Sequence, residues 1–217
     1  MVKVKICGNK SIEDARMCIN AGVDVIGVLV GQKHLSNDFV DKYVAKEISE
    51  FVNKRCKLSM VTHLTDASEI IDLSRFIGND IIQLHSNIPE SEVLKISKAL
   101  PNIELVRLVH VSKEGKICTN INGIKYVDYY LLDSFNSTTD QVGGTGVSHN
   151  WNKSREIIQS LNKPAFLAGG LTPNNVKTAI QTVCPYGVDV NTGCKNAYGA
   201  KDANKILEFV KNSKNAI

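Results

Sequence analysis

Eight short runs rich in β-branched and aliphatic residues recur along the chain, with amphipathic segments between them. The runs are Val2–Ile6, Val23–Val30, Lys57–Thr62, Ile81–Leu84, Ile103–Val109, Tyr129–Leu132, Ala165–Ala168 and Val188–Val190. Short strands separated by helical stretches are βαβ units, which build a parallel sheet. Their near-continuous hydrophobicity suits strands buried on both faces. An open, doubly wound sheet would show a glycine-rich turn after its first strand. The chain has Cys7-Gly8-Asn9-Lys10 there, not GxGxxG. Eight repeats in 217 residues, with no linker or shift of composition, predict a closed (β/α)8 barrel of parallel strands spanning 1–217 as a single domain.

Helix signals fall between the runs. Ser11 with Asp14 resembles a capping box that starts a helix ending at Gly22. Asp66 or Ser68 caps the next clear helix, which stops at Gly78. Pro89 opens another, Thr172-Pro173-Asn174-Asn175 a third, and Ala203–Val210 forms the last. The Gly115–Val127 segment carries the weakest signal and has room only for a short helix.

Charge and cysteine usage narrow the function classes. The 26 basic and 22 acidic side chains are spread along the chain, without the basic block or aromatic-interleaved Arg cluster of a nucleic-acid binder. No stretch approaches the roughly 18 apolar residues of a membrane span. MVKVKICGNK is too charged for a signal peptide. The six cysteines lack CxxC spacing, so free thiols in the reducing cytoplasm are expected, not a disulfide framework or structural zinc.

In such a barrel the active site lies at the C-terminal ends of the strands. The residues there include Cys7, Gln83, His85, His110, Asp133, Gly169, Gly170, Asn191, Thr192 and Gly193. Two glycine-containing turns follow the last two runs, Ala168-Gly169-Gly170-Leu171-Thr172-Pro173 and Asn191-Thr192-Gly193. Such turns let backbone amides approach an anion, and barrels place phosphate between these two loops. One turn alone would read as structural; the pair points to phosphate. Gly143-Gly144-Thr145-Gly146 lies in the long segment 134–150 and can add amide donors from Gly144 and Gly146. A free cysteine is by default a small buried hydrophobe, yet Cys7 at a strand mouth also suits a base or nucleophile. Asp133 just beyond a buried strand needs a partner or a task. His34, His63 and His110 do not form a ligand set by spacing, and no metal is expected.

At these residues the chain resembles the phosphoribosylanthranilate isomerase family of tryptophan biosynthesis, whose members are TIM barrels. The likeness runs through Val4-Lys5-Ile6-Cys7-Gly8, Ile82-Gln83-Leu84-His85, Leu132-Asp133, Gly143-Gly144-Thr145-Gly146, Trp151, Ala168–Pro173 and Val188-Asp189-Val190. The resemblance implies an Amadori rearrangement of N-(5-phosphoribosyl)anthranilate without metal or organic cofactor. It makes Cys7 the general base and Asp133 the general acid, and requires their pKa values to be tuned in opposite senses, Cys7 lowered and Asp133 raised. It also implies that Lys33 replaces an arginine gripping the anthranilate carboxylate, losing the bidentate fork. Gln83, His85 and Arg107 are the remaining candidates at the mouth.

Lys33 and His63 depart from the family pattern, so a related isomerase or lyase acting on another phosphosugar is the competing reading. A non-catalytic phosphate-binding protein is disfavoured by Cys7 and Asp133 both being in place. The partner is a small phosphosugar, with no nucleic acid or membrane; monomer and homodimer both suit the fold.

Overall fold

A computed structural model of the chain describes residues 1–32, 36–112, 116–119, 125–136, 141–142 and 150–216. In chain order the strands and helices are β1 (Lys3–Ile6), α1 (Ile12–Asn20), β2 (Val25–Leu29), α2 (Lys42–Val52), β3 (Lys57–Thr62), α3 (Ala67–Ile77), β4 (Ile81–Leu84), α4 (Glu90–Ala99) and β5 (Glu104–Val111). They continue with β6 (Tyr129–Asn136), β7 (Gln141–Val142), α5 (Trp151–Ser160), β8 (Ala165–Leu167), α6 (Val176–Val183), β9 (Gly187–Val190), a 3₁₀ turn (Thr192–Cys194) and α7 (Ala203–Lys214).

Eight strands pair in parallel in the order β5-β4-β3-β2-β1-β9-β8-β6, and β5 pairs with β6 to close the ring. All eight predicted runs are barrel strands. The extra strand β7 pairs antiparallel with the end of β6 and stands outside the barrel.

Alternation along each strand divides the apolar side chains into two cores. Inward residues Val25, Ile81, Val106, Leu108, Leu131, Phe166 and Ala168 fill the barrel. Outward residues such as Val4, Ile26, Leu84, Val109, Leu132 and Val188 pack under the helices. Because a parallel strand is covered on both sides, its sequence shows a continuous apolar run.

Local signals start most helices where expected. Ser11 Oγ accepts from the Asp14 amide at 3.1 Å, while the Asp14 carboxylate turns to the Lys10 amide at 2.8 Å. Asp66, rather than Ser68, caps α3. Much of the 115–127 segment, where a short helix is expected, lies outside the described residues. Among the described residues the chain folds back on β5 after Val111, with Ser112 and Cys118 amides donating to Lys116 and His110 carbonyls at 2.8 Å.

Candidate active site

Lys5 and Cys7 lie two residues apart on the lumen face of β1, one above the other. Register sets Lys5 beside Asp189 of β9, and the two side chains form an ion pair of 2.6 Å, both almost wholly buried. A lysine inside a barrel is costly without such a partner. Burial alone would drive Lys5 toward its neutral form, but Asp189 and Cys7 outweigh it and raise its pKa above the ordinary lysine value. Gly27 on neighbouring β2 makes room: a Cβ there would stand 2.9 Å from Cys7 Sγ and 3.2 Å from Lys5 Nζ.

Cys7 is held by both chain and side-chain contacts. Its amide donates to the Val190 carbonyl at 2.8 Å, and its carbonyl accepts from buried Lys201. Below the turn, Asn9 Nδ2 donates to the carbonyls of Ile6 at 2.8 Å and Gly27 at 3.1 Å. Gly8 adopts φ +71°, and a side chain there would strike the Asn191 amide. The thiol does not follow the expected direction: burial raises its pKa and outweighs the opposing charges of Lys5 and Lys201. A thiol this deeply buried loses more by desolvation than two cations return.

Asp133 occupies the lumen side of β6, above Leu131 and in register with His110 of β5. It is 7% exposed, and Cys7 is 8% exposed. Three strand steps, through β9 and β8, separate β6 from β1, so carboxyl and thiol face the same mouth from well-separated points on its rim.

The β3–β5 side of the mouth is lined by imidazoles. His63 follows β3, His85 follows β4 and His110 lies on β5. Their ring centroids are 5.3 Å apart for His63–His85 and 6.5 Å for His85–His110, and Phe39 adds a ring 5.2 Å from His63. Gln83, below His85 on the lumen face, has its Nε2 3.2 Å from His85 Nδ1, while its Oε1 has no partner among the described residues. Burial pushes the His110 pKa down. No group of three metal-ligating side chains occurs among the described residues.

The turns after β8 and β9 are interlocked. Gly169 and Gly170 have φ of +81° and +64°, and their amides donate to no acceptor among the described residues. Asn175 ties this turn to α6, accepting from the Thr172 amide at 2.8 Å and donating to the Gly170 carbonyl at 2.9 Å. A Cβ on Gly193 would overlap the Leu171 carbonyl oxygen, so the two turns touch backbone to backbone. Exposed amides beside the start of a helix suit an anion.

Several predicted site residues take other places. Arg107 does not reach the mouth; it alternates with inward Val106 and Leu108, and its guanidinium donates outward to the Ile88 carbonyl at 2.8 Å. The Asn191 side chain is engaged by Lys201 at 2.9 Å and Asp38 at 2.8 Å. Lys33, Gly144 and Gly146 lie outside the described residues. Lys5, Asp189, Lys201, Asp38 and Lys195 surround the site without having been singled out by sequence reasoning. Lys5 had a signal: it shares the period-two face of Cys7.

Comparison with known proteins decides what kind of barrel this is. Residues 4–212 match the family described as N-(5'phosphoribosyl)anthranilate (PRA) isomerase. The chain belongs to the phosphoribosylanthranilate isomerase family. It is 40% identical over 214 residues to N-(5'-phosphoribosyl)anthranilate isomerase 2 of Methanosarcina mazei, covering 99% of this chain and 95% of that protein. It is 33% identical to the Aquifex aeolicus isomerase, covering 99% of both. The crystal structure of the Thermotoga maritima phosphoribosylanthranilate isomerase superposes with a TM-score of 0.84 at 26% identity, covering 99% of each chain. Another isomerase of the family, solved with reduced 1-(o-carboxyphenylamino)-1-deoxyribulose 5-phosphate, has a TM-score of 0.82 at 27% identity over 99% of both chains. Within the phosphoribosylanthranilate isomerase family the reaction is an aldose–ketose isomerisation.

Proposed function

We propose that Cys7 and Asp133 divide the proton transfers of the Amadori rearrangement of N-(5-phosphoribosyl)anthranilate. The observation that supports this assignment is their position: thiol and carboxyl stand on the lumen face of β1 and β6 at one mouth. The phosphate binds to the amides of Gly169 and Gly170 and to the facing turn of Thr192 and Gly193, with Asn191 shaping that turn.

Asp133 gives its proton to the ring oxygen as the bond from that oxygen to C1 breaks, and the nitrogen lone pair closes a C1–N double bond. The Cys7 thiolate then takes the C2 proton. The C–H electrons form a C1–C2 double bond and nitrogen regains its lone pair. Loss of the C2 hydroxyl proton and return of a proton to C1 give the ketone. Atoms balance with no cofactor. A thiol whose pKa is raised by burial ionises less readily, but its thiolate is the stronger base. Lys5 supplies the facing positive charge, and Gln83 with His85 lines the sugar's path.

The purified protein should convert N-(5-phosphoribosyl)anthranilate, followed by loss of its fluorescence. Cys7→Ala and Asp133→Asn should each lower kcat about 10²–10⁴-fold. Absence of turnover by the wild-type protein sinks the assignment; near-normal turnover by either variant sinks the roles. The reading places the protein in the cytoplasm. Sedimentation velocity decides between monomer and homodimer, the latter being the state named for a Thermotoga maritima relative.

A further inference from the structure

The substrate of the proposed reaction carries two anions, a phosphate and an aromatic carboxylate; the need for a second anion receptor at the mouth rests on that substrate. Among the described residues, Lys5 and Lys201 lie against Cys7 and Lys195 stands one step further out beside Asp38, and the hydrogen bonds of the three differ. Lys5 lies on the barrel floor against Asp189. Lys201 is buried and spends its three protons on the carbonyls of Cys7 and Asn191 and on Asn191 Oδ1. Lys195 donates to the two oxygens of Asp38 at 2.5 and 2.7 Å, and no third acceptor is present among the described residues. A protonated lysine has three donors, so Lys195 has one to offer. Its side chain is also 12% exposed, against 4% for Lys5.

Position agrees with this count. Asp38 lies between β2 and α2, and Lys195 follows the 3₁₀ turn after β9. In the barrel β1 runs between β2 and β9, so the pair bridges the two loops beside the mouth of β1, where Cys7 sits. Asp38 also accepts from Asn191 Nδ2 at 2.8 Å, which fixes its orientation. It draws Lys195 toward the β2 loop and away from the turn after β8, where the phosphate is placed. Lys195 and Lys201 converge on the Asp38–Asn191 pair, Lys195 on the carboxylate and Lys201 on the amide oxygen. Phe39, next to Asp38, begins the row of rings that continues through His63 to His85.

We propose that Lys195, oriented by Asp38, is the cation that binds the carboxylate of the substrate's aminobenzoate ring, which lies against Phe39. The cation is thus delivered from the loop after β9, in place of the Lys33 expected from the sequence.

The test is calorimetric binding of two ligands to the full chain: reduced 1-(o-carboxyphenylamino)-1-deoxyribulose 5-phosphate and its phenylamino analogue without the carboxylate. Wild-type protein should prefer the first by roughly 10–100-fold, the range of a charge-assisted hydrogen bond. Lys195→Gln should bring that ratio close to one by weakening only the carboxylated ligand, and Lys195→Arg should restore most of it. A preserved ratio in Lys195→Gln, an equal loss for both ligands, or no preference in the wild type each overturns the proposal. Loss of the ratio in Lys33→Gln with retention in Lys195→Gln returns the role to Lys33. Because binding is read without turnover, an inactive protein that still shows the Lys195-dependent preference refutes the isomerase reading and leaves this one standing.

Discussion

The chemistry proposed for Cys7 turns on a residue two positions earlier. Burial raises the thiol pKa, and Lys5, facing the thiol, is the largest influence that opposes it. Removing that charge raises the thiol pKa further, because the cation stabilises only the ionised form. In Lys5→Met the alkaline-rising limb of kcat against pH should therefore move to higher pH. The same change leaves Asp189 buried without its cation and should cost about 3–5 kcal/mol in urea unfolding. Adding Asp189→Leu should recover most of the stability but only part of the pH shift, because the Asp189 charge itself raises the thiol pKa while the lost Lys5 cation is not replaced, which separates tuning from support. An unmoved limb in Lys5→Met would show that the lysine only holds the barrel floor.

At the scale of elements, the sheet was legible and its connections were less so. Eight strands could be read because burial on both faces leaves continuous apolar runs such as Val25–Leu29, and neither long-range contacts nor turn geometry blurs that signal. The turn by which β5 folds back, and β7, have no comparable pattern; short pieces such as Gln141–Val142 are fixed by the strand they pair with. Arg107 was misplaced because strand position alone does not say which face a residue takes, whereas its alternation with Val106 and Leu108 does. Asp38 and Lys195 are 157 positions apart, and only closure of the barrel brings them together. The close approach of Gly193 to Leu171 joins the turns after β8 and β9. Gly193→Ala should force them apart, costing about 1–3 kcal/mol of stability and raising KM through the phosphate. Inorganic phosphate as a competitive inhibitor measures the second effect, and unchanged inhibition would remove these turns from the phosphate site.

For the whole molecule, Asp24 fastens the two ends of the chain. Its carboxylate receives Lys3 at 3.1 Å and the Val4 amide at 2.9 Å at the start of β1, and Lys214 at the end of α7. Burial opposes its ionisation, but the hydrogen bonds from Lys214, Val4 and Lys3 hold its pKa below the ordinary carboxylate value. A carboxyl lowered on folding adds stability above its unfolded pKa of about 3.9, and that stability is lost as pH falls through the lower folded value. Asp24→Asn should therefore be less stable at neutral pH and show a flatter loss of urea midpoint below about pH 4. An unchanged acid slope would show that other carboxylates close the barrel. The proposed reaction is likewise a property of the whole mouth, since Cys7 and Asp133 stand three strands apart. The most direct test is the deuterium isotope effect on kcat with substrate labelled at C2. If Cys7 removes that proton, Cys7→Ala should express a large effect because the C2 step limits the rate. If Asp133 opens the ring first, Asp133→Asn should suppress the effect toward one. The same effect in both variants, or the reverse order, would contradict the division of labour between Cys7 and Asp133.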